Sequence, residues 1–162
     1  MNTNLYYLFL IYFITHIPIT IFVDLQCVFK EYYPSVLQGL ITWYTTKFKD
    51  PLVNQPPIWF QTFIYMECFF QLPIFFLAIY GLLKKYNWIR IPLIIYGTHV
   101  FTTVAPIMTE LATVSTLLAK EKLILLGIYF PYIFIPFLLV VYMVAIPKPF
   151  DDNNTVDNKK AL

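Results

Sequence analysis

The chain has 162 residues, 59% of them hydrophobic and 12% charged, with a formal net charge of +2. One soluble core of that length could not bury so much apolar surface, so a membrane protein is expected. The small net charge and scattered basic residues exclude a nucleic-acid groove, and no nucleic-acid partner is expected.

Residues 1–147 read as one all-α membrane domain, a four-transmembrane-helix bundle. Each span needs about 20 apolar residues to cross roughly 30 Å at about 1.5 Å per residue. The first is placed at 5–24. Met1 to Asn4 carries no Lys or Arg and no small-residue cleavage site follows, so the segment is expected to stay as a span rather than leave as a signal peptide. The run has no acid or base except His16 until it reaches Asp24.

A long connection follows, Leu25 to Pro56. Within it "SVLQGLITWYTTKF" is amphipathic enough for a short interfacial helix, and "KDPL" and "NQPP" read as turns. Trp43, Tyr44, Trp59 and Trp88 suit headgroup depth. The second span is placed at 58–83, the third at 89–110 and the fourth at 123–146. Pro57 and Pro92 fall where a proline opens a helix, because the missing N–H is unpaired there anyway. Pro147 and Pro149 close the last span.

Lys84, Lys85 and Arg90 crowd the short second loop, and Lys148, Lys159 and Lys160 follow the fourth span. By the positive-inside rule these lie in the cytosol, which puts both termini there. Residues 148–162 are expected to be a disordered cytosolic tail ending in "KKAL". Lys159 and Lys160 match the spacing of a dilysine retrieval signal for the endoplasmic reticulum membrane. Cys27 and Cys68 match no metal or redox spacing.

Residues three, four or seven apart share a helix face, and each span carries one polar strip on that basis. The strips are His16, Thr20 and Asp24; Glu67 and Gln71; Tyr96, His99, Thr103, Pro106 and Glu110; and Tyr129, Tyr132 and Pro136. Lipid offers such groups no partner, so the strips are expected to face inward. Glu67 is the costly residue. An ionised acid near the bilayer centre costs about 2.5–3.5 kcal/mol on insertion scales. No Lys or Arg lies deep in any span to pair with it, and the titratable neighbours are Asp24, His16 and His99.

Two carboxyls held together share one proton and leave about one negative charge. In an apolar chamber that charge suits a cationic amine on a bulky apolar body, or a sterol hydroxyl in need of an acceptor. Pro18, Pro73, Pro106, Pro131 and Pro136 lie within the runs and are expected to kink the helices and open an internal pocket. His16 and His99 are expected to donate to backbone carbonyls. Two histidines on different helices are a weak zinc signal, so no metal and no cofactor is expected.

The stretches "HIPITIFVDLQ", "WYTTKFKDPL", "PPIWFQTFIYMECFFQLP", "KYNWIRIPLIIYGTH" followed by "TT", and "YFPYIFIPF" resemble, in order and spacing, the sigma-2 receptor (transmembrane protein 97) family. That family lies within the EXPERA superfamily, which includes the emopamil-binding sterol isomerase. The resemblance runs from about Tyr7 to Pro147. It implies a dimeric receptor of the endoplasmic reticulum membrane that binds cationic amphiphilic amines and sterols or oxysterols. It also implies a link to cholesterol homeostasis and trafficking through the Niemann-Pick type C cholesterol transporter.

By motif, Asp24 matches the acid that pairs with the amine, and Glu67 the acid that supports it. Gln71, Thr103 and Tyr132 match polar pocket residues. Val23, Leu40, Tyr44 and Ile128 match its apolar wall. Asp50 matches a residue that affects ligand binding, whereas its place before Pro51 reads as a cap on loop backbone. The leading expectation is a receptor without enzymatic activity. The alternative is a sterol double-bond isomerase that uses the paired carboxylates as acid and base.

Overall fold

A computed structural model describes residues 1–150. Within them are four helical segments long and apolar enough to cross a membrane: Thr3–Tyr32, Ile58–Leu83, Asn87–Thr113 and Ala119–Ala145. The protein is therefore an all-α four-helix membrane bundle. The dilysine reading of Lys159 and Lys160 lies outside the described residues.

The first span opens with α1 (Thr3–Ile19), capped where the Asn2 side chain accepts from the Asn4 N–H. It does not stop at Asp24. A π-helical turn, Thr20–Asp24, carries the chain into α2 (Gln26–Phe29) and a 3₁₀ turn at Lys30–Tyr32. The interfacial segment forms α3 (Ser35–Phe48). "KDPL", expected as a simple turn, is a capped helical turn. Asp50 is the N-cap of α4 (Pro51–Asn54), and Pro51 stands where a missing N–H costs nothing.

The second span is α5 (Ile58–Met66), a second π-helical turn (Glu67–Gln71) and α6 (Leu72–Leu83). The third enters through a 3₁₀ turn (Asn87–Ile89) into α7 (Arg90–Thr113). The fourth is α8 (Ala119–Ala145). It starts before the expected residue 123 because Glu121 reaches back 2.8 Å to the Leu118 N–H and closes its first turn.

The two π turns flank prolines. Pro18 lies just before the first and Pro73 just after the second. Pro106, Pro131 and Pro136 sit within unbroken α-helix, so the helical register changes in two spans and not in all four. The first π turn is closed by the Leu25 N–H on the Thr20 carbonyl at 3.0 Å. Side chains satisfy two of its other carbonyls. The Tyr33 hydroxyl donates to Ile21 and the Gln26 amide to Phe22, each at 2.5 Å. Gln26 also donates to Leu37 on α3 at 3.1 Å, which ties the interfacial helix to the bundle.

Lipid gives helices no hydrophobic reason to associate, so close packing and polar ties must hold them. Gly97 supplies a close approach against backbone of the neighbouring span. A Cβ there would lie 2.6 Å from the Val140 side chain and 2.9 Å from the Pro136 carbonyl of α8. Backbone oxygen cannot swing aside, so Gly97→Ala is expected to cost about 1–3 kcal/mol by overpacking. Gly127 faces open space, and Gly127→Ala should hold or raise stability. Melting of the two variants in detergent, followed by tryptophan fluorescence, checks the contrast.

One end of the bundle gathers the N-terminus, the second loop and the exit from α8. The Met1 ammonium donates to the Pro149 carbonyl. Asn87 and Phe150 exchange two hydrogen bonds of 2.9 and 3.0 Å. Phe150 is buried against the core, so the chain beyond 147 starts as a docked segment and not as a free tail. Arg90 donates at 2.6 Å to the Met143 carbonyl, where the last turn of α8 leaves it unpaired.

Candidate functional site

The acids come from the two irregular turns. Asp24 ends the first and Glu67 begins the second. Their carboxyl groups face each other, with an oxygen of each and a ring nitrogen of His16 all within 4.8 Å. The Thr20 hydroxyl donates 2.5 Å to Glu67 Oε1. His16 Nε2 approaches the same oxygen at 3.9 Å, and its Nδ1 is buried without a hydrogen-bond partner. His16 thus makes no bond to a backbone carbonyl, contrary to expectation. Its ring is wedged among Tyr12, Phe75 and Tyr132, at centroid distances of 4.9, 4.9 and 5.0 Å.

Thr20, the missed member of this constellation, was visible as the middle residue of the first strip. A four-residue step in an α-helix overshoots a full turn by about 40°, so His16 and Thr20 are offset. A π turn holds more residues, and the next step falls short of a full turn. Asp24 swings back over His16, and the acid meets Glu67 across the bundle.

The pair opens into a cavity of about 270 Å³ between the four spans. Val23, Gln71, Thr103, Ile128, Tyr132 and Tyr44 line it, as placed by motif. Leu40 does not. It lies on the outer face of α3, 39% exposed, because that helix turns Ile41 and Tyr44 toward the bundle. Sequence reasoning missed most of the apolar wall: Ile19, Phe60, Phe63, Ile64, Val104 and Ile107. Aliphatic residues in a span carry no signal that separates a cavity wall from lipid contact.

The third strip also needs correction. Pro106 and Glu110 face outward, and the inward face of α7 is Leu93, Tyr96, Val100, Val104, Ile107 and Leu111. Glu110 lies near the helix end, where water can reach it without an inward partner. Tyr96 is buried and shares a 3.0 Å hydroxyl bond with Tyr12. His99 sits beside Phe70, with Nδ1 3.5 Å from the Gln71 amide, and also lacks the expected carbonyl.

Asp50 closes one end of the cavity from behind its wall. Its side chain is fully buried. One oxygen accepts from the Leu52 and Val53 N–H groups at 3.0 and 3.3 Å. The other accepts from the Tyr44 and Tyr129 hydroxyls at 3.1 and 2.9 Å. Tyr44 therefore points inward, unlike Trp43, which stays exposed at 52% with Lys47 over its ring.

Among the described residues Lys49 forms an ion pair with Glu121, while the His16 ring stands 3.9 Å from Glu67, outside hydrogen-bond reach. No lysine or arginine among them pairs with either cavity acid. The site is an apolar chamber with one pair of carboxyl groups on its wall.

A family model for EXPERA, the expanded EBP superfamily, matches residues 36–143. The chain belongs to the EXPERA family. It is 43% identical over 150 residues to "Sigma intracellular receptor 2" of Macaca fascicularis and 42% identical to the human protein of that name, with 85% of each chain covered in both cases. The Xenopus tropicalis protein of the same name is 42% identical over 152 residues, covering 88% of this chain and 89% of that one. These EXPERA relatives are named as receptors, and the matched stretch runs from α3 through α8, which carry Glu67 but not Asp24.

Proposed function

We infer that the protein is a membrane receptor whose cavity binds cationic amphiphilic amines and sterols or oxysterols, without transforming them. The carrying observation is the close Asp24–Glu67 pair in an apolar chamber, with no lysine or arginine partner among the described residues. A carboxyl pair with one remaining charge is balanced best by a cation that brings its own apolar body. Only the ammonium then needs polar contact.

At about 270 Å³ the cavity takes a compact amine whole. A sterol would place its hydroxyl at the acids and extend its skeleton toward the neighbouring groove of about 190 Å³. That groove shares His16, Ile19 and Tyr132 with the cavity.

The cellular reading follows from charge and motif. Lys84, Lys85, Arg90 and Lys148 lie in the loop and exit segments at the end that holds the N-terminus, which supports cytosolic termini; placement in the endoplasmic reticulum membrane rests on the resemblance of the motifs. A role in cholesterol homeostasis as a homodimer, working with a Niemann-Pick type C cholesterol transporter, rests on the resemblance of the motifs.

The test is saturable binding of a radiolabelled cationic amphiphilic amine to the purified protein, with an oxysterol as competitor. Mutual displacement is expected, and independent binding of the two would contradict a shared cavity. Incubation with a Δ8 sterol should return it unchanged. Formation of the Δ7 isomer would replace the receptor reading with the enzymatic one.

A further inference from the structure

We propose that His16, Asp24 and Glu67 form a binding site for a divalent transition metal, with Zn²⁺ the best match. The three side chains can offer one nitrogen and two oxygens that all lie within 4.8 Å of one another. Zinc takes this mixture of imidazole and carboxylate, with bonds of about 2.0–2.2 Å and three protein ligands when a fourth position stays open. Modest side-chain rotations would close the set around one ion. The adjoining cavity supplies the open position for water or a ligand.

Four features of the site point to a cation. Among the described residues the two carboxyls lack a lysine or arginine partner, and a divalent ion balances both charges without burying a net charge. His16 is a polar side chain only 7% exposed, with no hydrogen bond at Nδ1 and with Nε2 aimed at Glu67 from beyond bonding distance. Three aromatic rings fix its orientation toward the acids. Thr20 already holds Glu67 through a 2.5 Å hydrogen bond, the kind of support that orients metal-binding carboxylates. Calcium and magnesium fit poorly, because they ask for six or more oxygens.

The metal would share its carboxyls with the proposed amine site, so the two occupants should exclude each other. The metal proposal itself does not depend on amine binding. Purified, metal-stripped protein is titrated with Zn²⁺ by equilibrium dialysis and with Co²⁺ by visible absorption. One ion per chain is expected. Asp24→Asn and Glu67→Gln should each abolish it, Thr20→Val should weaken it about 10–100-fold, and His99→Gln should leave it intact.

His16→Cys is the decisive variant. Cobalt bound to it should show a sulfur-to-metal absorption band that the parent lacks. No saturable metal in the parent, or cobalt bound to His16→Cys without that band, overturns the proposal. Amine binding that persists while zinc binding is absent would overturn the metal site alone.

Discussion

Replacing Asp24 by asparagine is expected to abolish high-affinity amine binding while the protein still folds. The amide keeps the shape and the hydrogen-bonding capacity of the side chain and removes its charge. Losing one partner of a desolvated charge pair costs about 2–5 kcal/mol, which is roughly 30-fold to several thousand-fold in affinity at 1.4 kcal/mol per tenfold. A neutral sterol should be affected far less, since an amide oxygen still accepts from its hydroxyl. Radioligand affinity for an amine, with displacement by a sterol, separates the two. Equal loss for both would mean that the substitution had disturbed the shape of the cavity rather than its charge.

Asp50→Ala should be the most destabilising of these substitutions, although Asp50 does not line the cavity. It strands four donors at once: the Leu52 and Val53 N–H groups and the Tyr44 and Tyr129 hydroxyls. Each buried donor left unpaired costs about 1–3 kcal/mol, so a loss of at least about 3 kcal/mol is expected after partial repair by water. Tyr44 and Tyr129 would lose their anchor, and ligand affinity should fall with stability. Asp50→Asn, which keeps one oxygen for the α4 N–H groups, should recover part of both.

Burial pushes the Asp50 carboxyl above the usual carboxylate range, against the pull of its four donors. The folded chain therefore holds this proton more tightly than the unfolded chain. Its contribution to stability is full below the unfolded value and is lost as pH rises through the folded one. Melting temperatures across the acid range should show that slope in the parent and lack it in Asp50→Asn.

The bundle was legible because lipid imposes length and apolarity on a span whatever it packs against. The second span runs over 58–83 as read from sequence, and the others differ mainly where helices continue beyond the hydrocarbon. The acids were legible for a related reason, since an unpaired carboxyl in a span has nowhere to go but inward. The π turns were not. Four-residue spacing suggested one straight face through His16, Thr20 and Asp24, whereas an extra residue in the turn is what returns Asp24 to that face. The third strip failed on the same point, whereas Leu40 was placed by motif alone and sits on the exposed face of α3. Periodicity shows which residues share a face, but contact with α8 through Gly97 decides which face of α7 looks inward.

The most direct measurement is an experimental structure of the protein with a cationic amphiphilic amine bound. The ligand nitrogen is expected within charge-assisted hydrogen-bond distance of Asp24, with its apolar body against Ile128 and Phe60. Density for the amine on the outer surface, beside an empty cavity and an unperturbed Asp24–Glu67 pair, would contradict the account.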